Sequence, residues 1–533
     1  MPMKNSCRVR LRALGAFGWL WLLLGALLIG EGAGGLALSR AAVAGGAVGP
    51  GGAPALPAPT PLRWSFRIDV PDLSRGLAEV TWTLTGFDAS QPLRVCGDMD
   101  GAERFVTRIE RLAFAPKDSV LATPPGARPL PKDGDCWRVD GVDPAGVVLR
   151  YFYDLRELAR QHGSPDYGER IGQTWIVNDE TVLLRPDPLP HQQPDLVPAA
   201  SRDREPTIDV EFRLPAGAEV AVPWLPLPGP GRRYRMDAAQ YDGGTYMLLG
   251  ALDKLGELQL PHAQVLLYAV PQPRKLSDAA LRDWMLAATT QIDRFYGPLM
   301  PKRVQVLLVP AAGSTRAGVF GTVVRPLLPS AVIYFGADCE RVDLAEEWVA
   351  VHELFHIGNP KVWRKIPWLV EGFTTYYQDV LRGRAGMLPA AETWGDLWDG
   401  FRRFCQPSGG RSLAEESAQL RYTYRYTRVY WGGACLAFFA DVAIRKHSRG
   451  KQSLDDVLRA LRAQSLTSPL TEEEALTALE AASGGPELGA LLREKRALPV
   501  EKLLRQLGVE PTGDSTVRLR EDAPLSALRR AMF

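Results

Sequence analysis

Residues 352–356 read His352, Glu353, Leu354, Phe355, His356. Two histidines four apart on a helix stand one turn above the other on the same face, so both imidazoles can reach one metal ion. Glu353 is rotated off that line yet still reaches a water beside the metal, where a general base must sit. Only six histidines occur in 533 residues, so the pattern is informative. The other four, His162, His191, His262 and His447, have no comparable partner in sequence. The competing interpretation, two core or solvated histidines beside an incidental Glu, requires the spacing to be accidental.

A catalytic zinc ion needs a third protein ligand and an open position for water. Val362 stands six residues beyond His356, which excludes a third histidine at that common spacing. Glu371 is the candidate. It lies in Pro367, Trp368, Leu369, Val370, Glu371, Gly372, Phe373, Thr374, Thr375, Tyr376, Tyr377, which reads as the start of a second helix after a Pro-punctuated connection. The first turns of that helix can fold back against the His pair, giving a His, His, Glu site for Zn2+. The bland alternative is a helix-start carboxylate favoured by the dipole.

The motif at 352–356 and the segment 367–377 resemble the gluzincin zinc metallopeptidases, most closely the glycyl aminopeptidase family and more distantly the aminopeptidase N family. Val429, Tyr430, Trp431, Gly432, Gly433, Ala434, Cys435 is similar to the segment that carries a transition-state tyrosine in those enzymes. The resemblance covers about 276–508. It implies a thermolysin-like catalytic domain in which His352, His356 and Glu371 bind zinc, Glu353 is the base and Tyr430 hydrogen-bonds the oxyanion. Tyr422, Tyr424 and Tyr426 crowd the same stretch, and Tyr426 is the reserve for Tyr430.

Three departures bear on the substrate. The connection between His356 and Glu371 holds 14 residues, fewer than in aminopeptidase N relatives. Gly432 stands where the relatives carry a Lys. Upstream, where they carry a Glu that binds the substrate's free amine, this chain reads Gly318, Val319, Phe320, Gly321, with no acidic residue between Ala311 and Gly336 and with Arg316 and Arg325 adding positive charge. The resemblance therefore favours an aminopeptidase, while the missing acid favours an endopeptidase or a substrate with a blocked N-terminus. A non-catalytic binding protein on the same scaffold is the rival from another class.

These residues require elements to position them. The expected fold is multidomain α+β: a β-rich N-terminal domain over 62–271, an α/β zinc domain over 272–400 and a helical domain over 401–533. Alternation at Trp64 to Val70, Ala78 to Leu84, Val147 to Tyr153, Thr174 to Leu184, Thr207 to Leu214 and Ala263 to Val270 predicts strands. Ser277 or Asp278 can cap a helix with apolar positions Leu281, Trp284, Met285, Ala288, Ile292 and Phe295, closed by Gly297 with Pro298. Strands are expected at 303–309 and 331–335, joined by a Gly-containing segment. Asp343 and Glu346 have capping-box spacing for a helix reaching His356.

Lys4, Arg8, Arg10 and Arg12 precede an uncharged apolar run from Leu14 to Gly30, the pattern of a signal peptide or N-terminal anchor. Residues 31–61 form a Gly/Ala/Pro linker. An exported protein, periplasmic, secreted or membrane-anchored, is the expectation, with Cys96 and Cys136 able to bridge in an oxidising compartment. Lys plus Arg total 63 against 61 for Asp plus Glu, a net charge of +2, which argues against a nucleic-acid partner. The partner expected is a peptide or protein substrate. Nothing in the sequence sets the oligomeric state.

Overall fold

The computed structural model describes residues 62–86, 93–97, 102–112, 128–140, 146–186, 206–241, 243–363, 366–405 and 409–533. The leader and linker expected over 1–61 lie outside them. The fold is multidomain α+β, with sheets in the first half and helices in the second.

The N-terminal region is built on an eight-stranded sheet with Arg63–Asp69 near its middle, paired antiparallel with Leu77–Thr85 and parallel with Thr207–Arg213. Trp64, Phe66 and Ile68 alternate with polar neighbours and are buried, as period-two patterning requires when one face packs on a core. Two four-stranded sheets flank it. In one of them Leu93–Cys96 pairs with Cys136–Val139, and Cys96 is disulfide-bonded to Cys136. The alternating run at 174–184 is only half strand. Thr174–Asn178 is extended, then Asn178 accepts a hydrogen bond from the Glu180 N–H and starts a short helix, Asp179–Val182.

A further sheet has five strands in the order Asp253–Gln259, Gln264–Ala269, Arg303–Ala311, Ser330–Gly336, Gly318–Val324. Gln264–Ala269 pairs parallel with Arg303–Ala311, so the boundary expected at 271 falls inside this sheet and its first two strands come from the stretch read as N-terminal. The Gly-containing segment is the strand Gly318–Val324, antiparallel to Ser330–Gly336 and at the sheet's edge. The two regions share an apolar seam in which Ile176, Tyr246 and Leu248 pack with Val270, Leu307 and Val332.

Helix Asp278–Tyr296 forms as its spacing predicts, capped by the Ser277 hydroxyl, which accepts from the Ala280 N–H. The His-bearing helix is shorter than expected and spans Val349–His356. Asp343 and Glu346 form a turn instead. The start is set by Glu347, whose buried carboxylate accepts from the Ala350 N–H and from Trp284 Nε1, a partner 63 residues away. The region after Trp368 is helical except for a terminal hairpin, Val509–Pro511 with Val517–Leu519. Among the described residues no helix is long and apolar enough to cross a membrane.

Candidate metal centre

Three helices meet at the site: the His helix (Val349–His356), the Glu helix (Pro367–Arg384) and the Tyr helix (Tyr426–His447). The Glu helix begins with Pro367 in its first turn, where a missing N–H costs nothing. Trp368 then anchors it, donating from its backbone N–H to Ser417 Oγ and from Nε1 to Glu472. The Glu and Tyr helices touch backbone to backbone: a Cβ on Gly372 would lie 2.3 Å from Gly433 Cα, and one on Gly433 would lie 2.1 Å from the Trp368 carbonyl oxygen.

This packing brings His352, His356 and Glu371 together, with one potential ligand atom from each lying within 4.8 Å of the others. Glu371 Oε2 is 3.5 Å from His352 Nε2 and 3.3 Å from His356 Nε2. The opposite ring nitrogens are occupied by the protein. His352 Nδ1 lies 2.8 Å from Gln378 Oε1, which fixes Nδ1 as the donor and leaves Nε2 free as a ligand. His356 Nδ1 lies 3.4 Å from Thr374 Oγ1 and 3.2 Å from the Asn359 amide, itself held by the Tyr296 hydroxyl. Two imidazoles presenting Nε2 and one carboxylate make a donor set suited to zinc, with three protein ligands rather than a closed four.

The electrostatics follow from burial and crowding. Burial raises the Glu353 carboxyl to about 7; the His352 ring pulls it down, and Glu371 and Asp166 push it up. Burial also works against an ionised Glu371, yet the two imidazoles hold its carboxyl well below the usual range. Tyr430 stacks on His352 with ring centroids 6.2 Å apart. Burial, the Glu371 and Glu353 charges and a hydrogen bond to Glu371 hold its phenol well above the ordinary value, so it stays a protonated donor. Tyr426 lies one ring further out, 6.2 Å from Tyr430, and Tyr422 and Tyr424 are exposed.

The edge strand Gly318–Val324 runs beside the His helix. A Cβ on Gly321 would fall 2.5 Å from Glu353 Cγ, so the strand approaches the carboxylate too closely for any side chain. Arg325 is turned to the far end of the His helix, where Nη1 donates to the His356 carbonyl. The residues missed by sequence reasoning are Gln378, Thr374 and Asn359. Gln378 and Thr374 sit on the Glu helix, seven and three residues beyond Glu371, a spacing that puts them on its inward face and was available as a signal.

No protein-family model and no curated protein sequence matches the chain. Solved structures do. An aminopeptidase N family protein from Idiomarina loihiensis is similar with a TM-score of 0.65 at 16% identity, over 86% of this chain and 82% of that one. A substituted form of a two-domain M1 zinc metallopeptidase bound to L-arginine is similar with a TM-score of 0.50 at 15% identity, over 83% of this chain and 95% of that one. The chain therefore has the multidomain fold of the M1 zinc aminopeptidases, the aminopeptidase N type.

Proposed function

We propose that this protein is an exported zinc metallopeptidase in which His352, His356 and Glu371 hold the metal, Glu353 is the general base and Tyr430 the oxyanion donor. The observation that carries the reading is the convergence of three ligand atoms within 4.8 Å beside a Glu whose carboxyl burial raises to about 7. Likeness to the Idiomarina loihiensis protein, described as of the aminopeptidase N family, supports it. Zinc in such a donor set supplies Lewis acidity, lowering the pKa of water to about 7 and polarising a carbonyl. Glu353 takes the proton from the attacking water and returns it to the leaving amine. The Tyr430 hydroxyl donates to the oxyanion as the tetrahedral carbon forms. Gln378 holds His352 in one tautomer throughout.

Export rests on the basic, apolar leader over residues 1–30 and on the Cys96–Cys136 bond, a feature of oxidising compartments. A second reading, an endopeptidase, is favoured by Gly321 and by the acid-free stretch between Ala311 and Gly336. Purified protein and its Glu353→Gln form, both assayed for zinc, are incubated with a diverse peptide mixture and the new ends read by mass spectrometry. Zinc in both forms and cleavage by the first alone is the expected result. Loss of single N-terminal residues identifies an aminopeptidase and internal cuts an endopeptidase. Identical products from both forms overturn the mechanism, and absence of bound zinc overturns the metal site.

A further inference from the structure

Arg325 follows the edge strand directly, and the chemistry above leaves its charge unused. The strand and the His helix run side by side in the same direction. A Cβ on Gly318 would meet Glu347 and Val349 at the start of the helix, and one on Gly321 would meet Glu353. At the far end Arg325 Nη1 donates to the His356 carbonyl at 3.3 Å. A second guanidinium reaches the same turn from the helical region. Arg462, on the helix Leu454–Ser465, donates from Nη1 to the Asn359 carbonyl at 3.4 Å. The Asn359 backbone N–H donates to the His356 carbonyl, so the two arginines hold carbonyls of a single turn.

Capping alone does not account for both charges. A helix C-terminus carries a partial charge of about −0.5, and two guanidiniums exceed it. Among the described residues no Asp or Glu lies within ion-pair distance of either arginine. The one carboxylate that attracts Arg325 is Glu371, whose charge the two imidazoles already hold. Arg462 is 5% exposed, its Nε has no partner, and it feels the like charge of Arg325. Arg325 is only partly buried, so the open member of the pair is the one beside the candidate ligands. Desolvated cations without a counter-charge are costly unless a ligand supplies one. The outer edge of the strand is unpaired, and an extended peptide lying along it passes from Glu353 towards Arg325. Four residues separate Gly321 from Arg325, roughly 13 Å of strand, and the Arg325 side chain folds back from there to the His helix.

We propose that Arg325, backed by Arg462, binds a carboxylate of the substrate close to the scissile bond, so that the protein selects peptides that carry one there. This rests on the peptidase reading above and holds for its aminopeptidase and endopeptidase forms alike. An acidic side chain beside the bond and the C-terminal carboxylate of a short peptide offer the same chemistry, so the test separates the two sources.

The test compares kcat/KM for Glu against Gln at each position flanking the bond, and for short peptides with a free against an amidated C-terminus. The forms assayed are the unsubstituted protein, Arg325→Gln, Arg325→Lys and Arg316→Gln, with zinc content measured in each. The unsubstituted protein is expected to prefer the carboxylate in one of the two series, and that series identifies the source. Arg325→Gln is expected to lose about ten- to a hundredfold of the preference, the worth of one charged hydrogen bond. Arg325→Lys, which keeps the charge without the planar fork, is expected to retain part of it, and Arg316→Gln all of it. An Arg325→Gln form that loses activity equally on charged and amide peptides assigns Arg325 to capping alone and overturns the proposal. So does an equal loss of preference in Arg316→Gln, or an unsubstituted protein that cleaves both members of every pair equally well; in each case the peptidase reading stands. A zinc-loaded unsubstituted protein that cleaves none of the peptides overturns the peptidase reading and this proposal with it.

Discussion

Gly372 and Gly433 are in van der Waals contact across the Glu and Tyr helices, so close that a methyl group on either would overlap the other helix's backbone. Each follows a site residue, Glu371 by one position and Tyr430 by three. The absence of two side chains thus sets how near the tyrosine stands to the proposed metal ligands. Gly433→Ala must push the helices apart, because the obstructing atoms are backbone and cannot rotate away. We expect a loss of about 1–3 kcal/mol, read as a lowered midpoint in urea. A fall in kcat exceeding any fall in zinc content should accompany it. Unchanged stability would mean that the two helices can separate freely.

Glu353→Gln should keep near-stoichiometric zinc while kcat falls about 10²–10⁴-fold, since the amide retains the shape of the side chain but cannot take a proton. His352→Ala should lose the metal itself. Elemental analysis with a single peptidase assay separates the two outcomes, and a Glu353→Gln form that retains full activity would sink the role of the base.

The spacing of the His pair and the Pro-led start of the Glu helix were legible because they depend on neighbours within one or two turns. The helix over 278–296 was legible for the same reason, with all six expected apolar positions buried. What escaped depends on residues far away. The His helix begins at Val349 because Trp284 fixes Glu347, overriding the local capping-box pattern at Asp343. The strand 318–324 was hidden because its glycines, needed against Glu353 and Glu347, carry no strand propensity. Asp166 was invisible to any window around the motif, since only the packing of the β-rich region against the edge strand brings it there.

Gln378 offers a test of the metal centre that leaves every proposed ligand in place. Its Oε1 accepts the His352 Nδ1 proton, and replacing it by Leu removes the group that selects the tautomer. Zinc affinity should fall about 10–100-fold, measured by competition with a chelator. Gln378→Glu, which keeps an acceptor oxygen, should restore much of it. Equal affinity in the Leu form would show that ring orientation is set by packing alone.

Thiol counting tests the Cys96–Cys136 bond and the fate of the leader together. Cys339, Cys405 and Cys435 are free and buried, so these three thiols should react slowly with a thiol reagent in the native protein. In denaturant without reductant, three thiols should react if the leader has been removed and four if Cys7 is retained. Five or six would mean that the bond is absent. The bond closes a loop across a separation of 40 residues, so the Cys96→Ala, Cys136→Ala double variant should lose about 2–4 kcal/mol of stability. That loss belongs to the β-rich region. Zinc content should therefore hold while the unfolding midpoint falls, and a parallel loss of zinc would show that the metal centre depends on the covalent closure of a sheet that contributes no candidate ligand to it.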